Sequence, residues 1–87
     1  MSNESLLQFP CSFAIKAMGK STIEFDMLVT DIINRHVEKL SQDQISTKKS
    51  KDGNYVSVTV TIQATGKDQL DAIYRELSAH PNVLMAL

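Results

Sequence analysis

At 87 residues, 43% hydrophobic and 22% charged, the chain has room for one domain with a modest core and none for a second. A formal net charge of -1 gives no electrostatic signal for nucleic acid or for an anionic membrane, and no apolar run is long enough to span a bilayer. The single cysteine, Cys11, has no internal disulfide partner, and with no signal-like apolar N-terminus it points to a reducing cytoplasm.

Residues 1–10 carry polar side chains around Leu6 and Leu7 without sustained periodicity, which predicts a partly flexible segment that docks its two leucines. Pro10 favours an extended Phe9 and stops any helix from crossing, so Ser12 to Met18 begins a fresh element. Phe13, Ile15 and Ala17 alternate with Ala14, Lys16 and Met18, the pattern of a strand buried on its Phe13 side and ended by Gly19. Ser21-Thr-Ile-Glu24 then fits a capping box. The helix it opens carries an apolar stripe from Phe25 through Leu28, Val29, Ile32, His36 and Val37 toward Leu40, with Asp31 and Arg35 paired on its wet side, and is expected to be the larger of two.

Gln42 to Lys51 is polar, with Ile45 its only large aliphatic, and reads as an edge strand whose lysines at 48, 49 and 51 discourage another chain from adding to it. Asp52-Gly53 supplies the positive backbone angles of a tight hairpin. The stretch from Gly53 to Ala64 has the longest strict alternation in the chain. Val56, Val58, Val60 and Ile62 face one way and Tyr55, Ser57, Thr59 and Thr61 the other, so this is a central strand of a sheet covered on one side only. Thr65, with Asp68 three residues on, caps a second helix whose buried stripe is Leu70, Ile73, Tyr74 and Leu77. Asp71 and Arg75 pair along it, His80 faces the dipole at its C-terminus, and Pro81 closes it. Val83 to Leu87 is a short final strand.

The order βαββαβ, with two amphipathic helices, matches the ferredoxin-like split βαβ, an α+β fold with a four-stranded antiparallel sheet in spatial order 4132. Right-handed crossovers place both helices on one face and leave the hydroxyl-rich face uncovered.

Phe9-Pro10, Lys16 to Gly19 (KAMG), Arg35-His36, Gly53 to Tyr55 with Ser57, and Ala64-Thr65 occur in an order and spacing that resemble the YbeD-like family of small bacterial proteins of unknown function. The resemblance extends from Leu7 onward. It implies a ferredoxin-like fold similar to the ligand-sensing ACT domains and a regulatory or interaction role rather than catalysis, and it supplies no catalytic residues.

The residues agree with that absence. Cys11 with His36 or His80 is the only thiol-imidazole combination, and Cys11 reads as structural, without a helix N-terminus directly after it. Two histidines and one cysteine have no metal-ligand spacing, and the chain lacks the phosphate-loop signature. No cofactor is expected, and the chain reads as a non-enzyme. The open face offers Lys16 and Met18 from the first strand beside Tyr55, Ser57 and Thr59 from the third, and protein contact or homodimerisation is the preferred use of it. An ACT-like small-molecule site at Gly19, Lys20 and Ser21, where a lysine stands beside helix N-terminal amides, is the alternative. Weak RNA binding ranks third, because Tyr55 is the single aromatic on the face.

Overall fold

A computed structural model describes residues 8–21 and 24–87. The expectations for the first seven residues, docking of Leu6 and Leu7 among them, and for Thr22 and Ile23 of the capping box lie outside the described residues. The elements run β1 (Cys11–Lys20), α1 (Phe25–Asn34), a 3-10 turn (Gln42–Gln44), β2 (Ile45–Lys49), β3 (Tyr55–Ala64), α2 (Lys67–Ala79) and β4 (Met85–Ala86). The four strands form one antiparallel sheet in the order β2-β3-β1-β4, the ferredoxin-like arrangement.

The alternation on β3 organises the core. Val56, Val58, Val60, Ile62 and Ala64 are buried, while Tyr55, Ser57, Thr59 and Thr61 face outward. Antiparallel pairing of Ile15 with Val60 and Ala17 with Val58 puts the small and branched side chains of β1 on the same buried face. Phe25, Val29, Ile32 and Ile33 of α1 and Leu70, Ile73 and Leu77 of α2 close over it. Both helices therefore cover one face of the sheet.

Local chemistry redraws several boundaries. The Ser21 capping box does not form: the helix starts at Phe25 with Glu24 as its N-cap, and the Ser21 hydroxyl donates instead to the Gly53 carbonyl, while its N–H donates to Asn54 O at 3.0 Å. Ser21 thus continues the β1–β3 ladder into the hairpin. α1 stops at Asn34, well short of Leu40, and at ten residues is the smaller helix beside the thirteen of α2. Arg35 pairs with Glu76 of α2 rather than with Asp31. At α2, Gly66 is the N-cap and Thr65 offers no side-chain cap; its N–H donates to Gln69 Oε1 at 2.8 Å. Asp71 pairs with Lys67, not Arg75. His80 ends the helix, and its Nδ1 accepts the Asn82 N–H at 3.1 Å.

The hairpin is also wider than a two-residue turn. Ser50 N–H donates to Tyr55 O at 2.8 Å across a four-residue loop, 51–54, and Gly53, at φ 79°, alone takes a positive angle there, Asp52 staying at negative φ. Asp52 shapes this loop by accepting from the Ser50 hydroxyl, the Asn54 N–H and the Asn54 side-chain amide. The final strand is shorter than Val83 to Leu87, although flanking bonds from Leu84 N–H to Met18 O and from Leu87 N–H to Lys16 O lengthen its attachment.

Candidate functional site

The uncovered face of the sheet is built by register. Lys48 of β2 lies opposite Ser57 of β3, which lies opposite Met18 of β1, which lies opposite Met85 of β4, one continuous row across all four strands. The next row holds Ser46, Thr59 and Lys16, with Leu87 bonded beside Lys16. On the other side of the first row, Tyr55 pairs with Lys20. Tyr55 is 42% exposed, Met85 50% and Leu87 62%, so this face presents apolar surface to solvent as well as hydroxyls. Between Met18, Lys48, Tyr55 and Ser57 lies a shallow recess of about 120 Å³. The edge beyond Met85 is fastened from beneath: Leu87 O accepts both the Lys16 N–H at 3.0 Å and the Tyr74 hydroxyl of α2 at 2.7 Å. Partial burial at that contact raises the Tyr74 phenol above its ordinary value of 10.0.

The Gly19–Ser21 stretch has a different character. Gly19 is the last buried position of β1, and a Cβ there would stand 2.5 Å from the Phe25 ring and 2.7 Å from Asn82 O. Its glycine is explained by close packing at a normal backbone angle. A cleft of about 320 Å³ opens beside it between Ser21, the start of α1 and β2, but Glu24 and Asp26 line it and already place carboxylates at the positive end of the helix. Lys48 and Lys49 line the β2 side of the same cleft, so its lining is balanced in charge and offers an anion no net positive site.

A third cluster joins the helices. Glu76 accepts from Arg35, and its Oε1 lies 2.6 Å from His36 Nε2, while Gln69 Nε2 donates to His36 O at 3.0 Å. The His36 hydrogen bond, aided by the Arg35 charge, holds the Glu76 carboxyl below its ordinary 4.5. His36 is half-buried, as its place on the apolar stripe suggests. Among the described residues no hydroxyl or thiol hydrogen-bonds to His36 or Glu76, so the cluster clasps the end of α1 to α2 without arming a nucleophile. No group of three metal-ligating side chains occurs among the described residues, and no described helix is long and apolar enough to cross a membrane.

A family model described as a protein of unknown function (DUF493) matches residues 4–87. The chain belongs to the DUF493 family. A UPF0250 protein of Paraburkholderia phytofirmans is 44% identical over 85 residues, covering 98% of this chain and 96% of that one. The UPF0250 protein NE1487 of Nitrosomonas europaea is 41% identical over 87 residues and the whole of both chains. These are the YbeD-like proteins to which the sequence motifs pointed. The solution structure of protein HP0495 from H. pylori superposes with a TM-score of 0.66 at 16% identity, covering all of this chain and 94% of that one, a likeness of fold alone.

Within this DUF493 domain the candidate residues divide into two sets. Lys16, Met18, Tyr55, Ser57 and Thr59 meet on the open face, and Lys20 joins them through its pairing with Tyr55 rather than serving a loop with Gly19. Gly19 itself points into the core. Sequence reading missed Lys48, Met85 and Leu87 as members of the face. The signal was present for Lys48: a hairpin centred on Asp52-Gly53 sets Lys48 opposite Ser57, and the wider loop that forms keeps that register.

Proposed function

We propose that this protein is a non-catalytic interaction domain with a regulatory role, which meets a protein partner through the open face of its sheet. The observation that supports this is the row Lys48, Ser57, Met18 and Met85, flanked by Tyr55 and Leu87. A face kept only for solvent needs no methionine at its centre and no second methionine, tyrosine or leucine toward its margins, whereas adaptable thioethers and an amphipathic aromatic are what contact surfaces use. The Gly19–Ser21 loop offers a small ligand less, since Phe25 and Asn82 cover Gly19 and the Ser21 hydroxyl is engaged by Gly53. A single aromatic likewise offers little stacking to RNA.

The test is affinity capture of the tagged protein from its own cell extract, with wild type beside a Tyr55→Ala, Thr59→Lys variant. A specific protein partner lost by the variant supports the reading. The same partner held equally by both removes the face from consideration.

The edge supports a second reading, self-association. β4 carries no charged side chain and exposes Met85 between the exposed flanking residues Leu84 and Leu87, unlike β2 with Lys48 and Lys49, so it lacks the guard that blocks strand addition. Antiparallel β4–β4 pairing would make a symmetric dimer. Sedimentation of wild type against Met85→Lys decides it: a concentration-dependent dimer lost in the variant supports the pairing, and a monomer at all concentrations contradicts it.

A further inference from the structure

The net charge of -1 conceals a segregation. Every described carboxylate lies on a helix, at a helix end or in a loop, and no strand of the sheet carries Asp or Glu. The open face carries Lys16, Lys20 and Lys48. Among the described residues none of the three has an ion-pair partner, as is also true of Arg75 on α2, while Arg35 and Lys67 are paired with Glu76 and Asp71. Strands about 4.8 Å apart, rising about 3.3 Å per residue, set these ammonium groups around the Met18 recess at separations near or beyond a Debye length. At about 120 Å³ the recess is of the order of the roughly 150 Å³ cavity that accommodates benzene, room for one apolar side chain.

We infer that the open face binds an acidic protein segment that anchors one aliphatic or aromatic side chain in the recess between Met18, Tyr55, Ser57 and Lys48, and sets its carboxylates against Lys16, Lys20 and Lys48. This rests on the interaction reading above and names the chemistry of the partner. Charge decides against the other occupants. A second copy laid face to face would add three more lysines and no Asp or Glu side chain from the strands, so it neutralises none of them. RNA phosphates would satisfy the lysines, but Met18, Met85 and Leu87 are aliphatic contacts that stack poorly on bases.

The probe is a twelve-residue synthetic peptide of Glu and Leu in equal numbers, compared with a Lys/Leu peptide, a Glu/Ser peptide and a twelve-nucleotide uridine RNA. Binding is followed by amide chemical shifts of the labelled protein at two salt concentrations. The Glu/Leu peptide is expected to shift Met18, Lys48, Tyr55 and Ser57. Its affinity is expected to fall with salt, and to fall about tenfold in a Lys16→Ala, Lys20→Ala, Lys48→Ala variant that keeps the wild-type melting temperature. Arg75→Ala, on the helical layer, leaves it unchanged. Equal binding of the Glu/Ser or Lys/Leu peptide, shifts confined to the helices, or tighter binding of the RNA overturns the inference. The two readings fail separately. A captured partner that is lost on Tyr55→Ala, Thr59→Lys but docks through a basic or neutral segment sinks the acidic-segment inference and leaves the interaction reading standing. Absence of any face-dependent partner sinks that reading.

Discussion

Gly19→Ala is the sharpest perturbation the packing allows, because one added carbon has nowhere to go. The new Cβ would stand 2.5 Å from a Phe25 ring carbon and 2.7 Å from the Asn82 carbonyl oxygen. Phe25 is 1% exposed and locked in the core, and Asn82 O belongs to the backbone, so neither yields by a simple rotation. Overpacking of this kind costs about 1–3 kcal/mol. For a domain of this size that is a fall in melting temperature of about 5–20 °C, or a urea midpoint lower by about 1–3 M at a slope near 1 kcal/mol/M. Phe25→Leu in the same chain should relieve the ring contact but not the carbonyl contact, so a double-mutant cycle should show coupling of about 0.5–1.5 kcal/mol with part of the penalty remaining. The measurement is urea unfolding followed by circular dichroism on the four proteins of the cycle. A Gly19→Ala protein within about 0.5 kcal/mol of wild type, or additivity with Phe25→Leu, would refute the argument.

Three further outcomes follow from the same geometry. Glu76 has a lowered pKa in the folded state, so its contribution is present above the unfolded value near 4.5 and is lost as pH falls through the folded one; urea midpoints between pH 6 and pH 3 should fall more steeply for wild type than for Glu76→Gln, and parallel slopes would contradict the clasp. Ile73→Ala, at a fully buried position, should cost about 2–5 kcal/mol, while Leu84→Ala, 56% exposed, should stay within about 0.5 kcal/mol, and comparable losses from the two would displace the core from where it is drawn here. Gly53→Ala should lose about 1–2 kcal/mol to its positive φ with no steric clash to blame, whereas Gly53→Asn should lose less; equal stability of all three would remove the left-handed turn.

What the sequence made readable was whatever depends on neighbours in the chain. The valine alternation of β3 identifies a central, one-sided strand because period-two patterning and burial are the same fact seen twice. Lysines at 48 and 49 mark the guarded edge. The helix boundaries were less readable because long-range bonds outbid local ones. Ser21 has the residue type and spacing of a cap, yet its hydroxyl meets Gly53, 32 positions away. Arg35 has Asp31 four residues before it, yet Glu76 recruits it across the helix pair, and with His36 and Gln69 this draws the chain out of α1 after Asn34. Such ties are invisible to any window of ten residues.

The candidate site shows the same division. Lys16, Met18, Tyr55, Ser57 and Thr59 could be placed on one face from strand parity alone. Lys48 could have been added from the hairpin, because a turn centred on Asp52-Gly53 already sets it opposite Ser57, whereas Met85 and Leu87 needed the register of a final strand held by only a few bonds to β1. The charge segregation depended on both. A chain with nearly balanced charge reads as electrostatically silent until its residues are assigned to layers, which leaves Lys16, Lys20 and Lys48 on a face that no Asp or Glu side chain of the strands shares.

The central claim is that partners meet the sheet face and not the helices, and site-specific photo-crosslinking in the native cell tests it most directly. A photoreactive residue is placed at Thr59, in the middle of the face, or at Asp31, an exposed position on α1. The account predicts a discrete protein adduct from position 59, competed by excess unlabelled protein, and none from position 31. An adduct from position 31 with none from position 59 would contradict it.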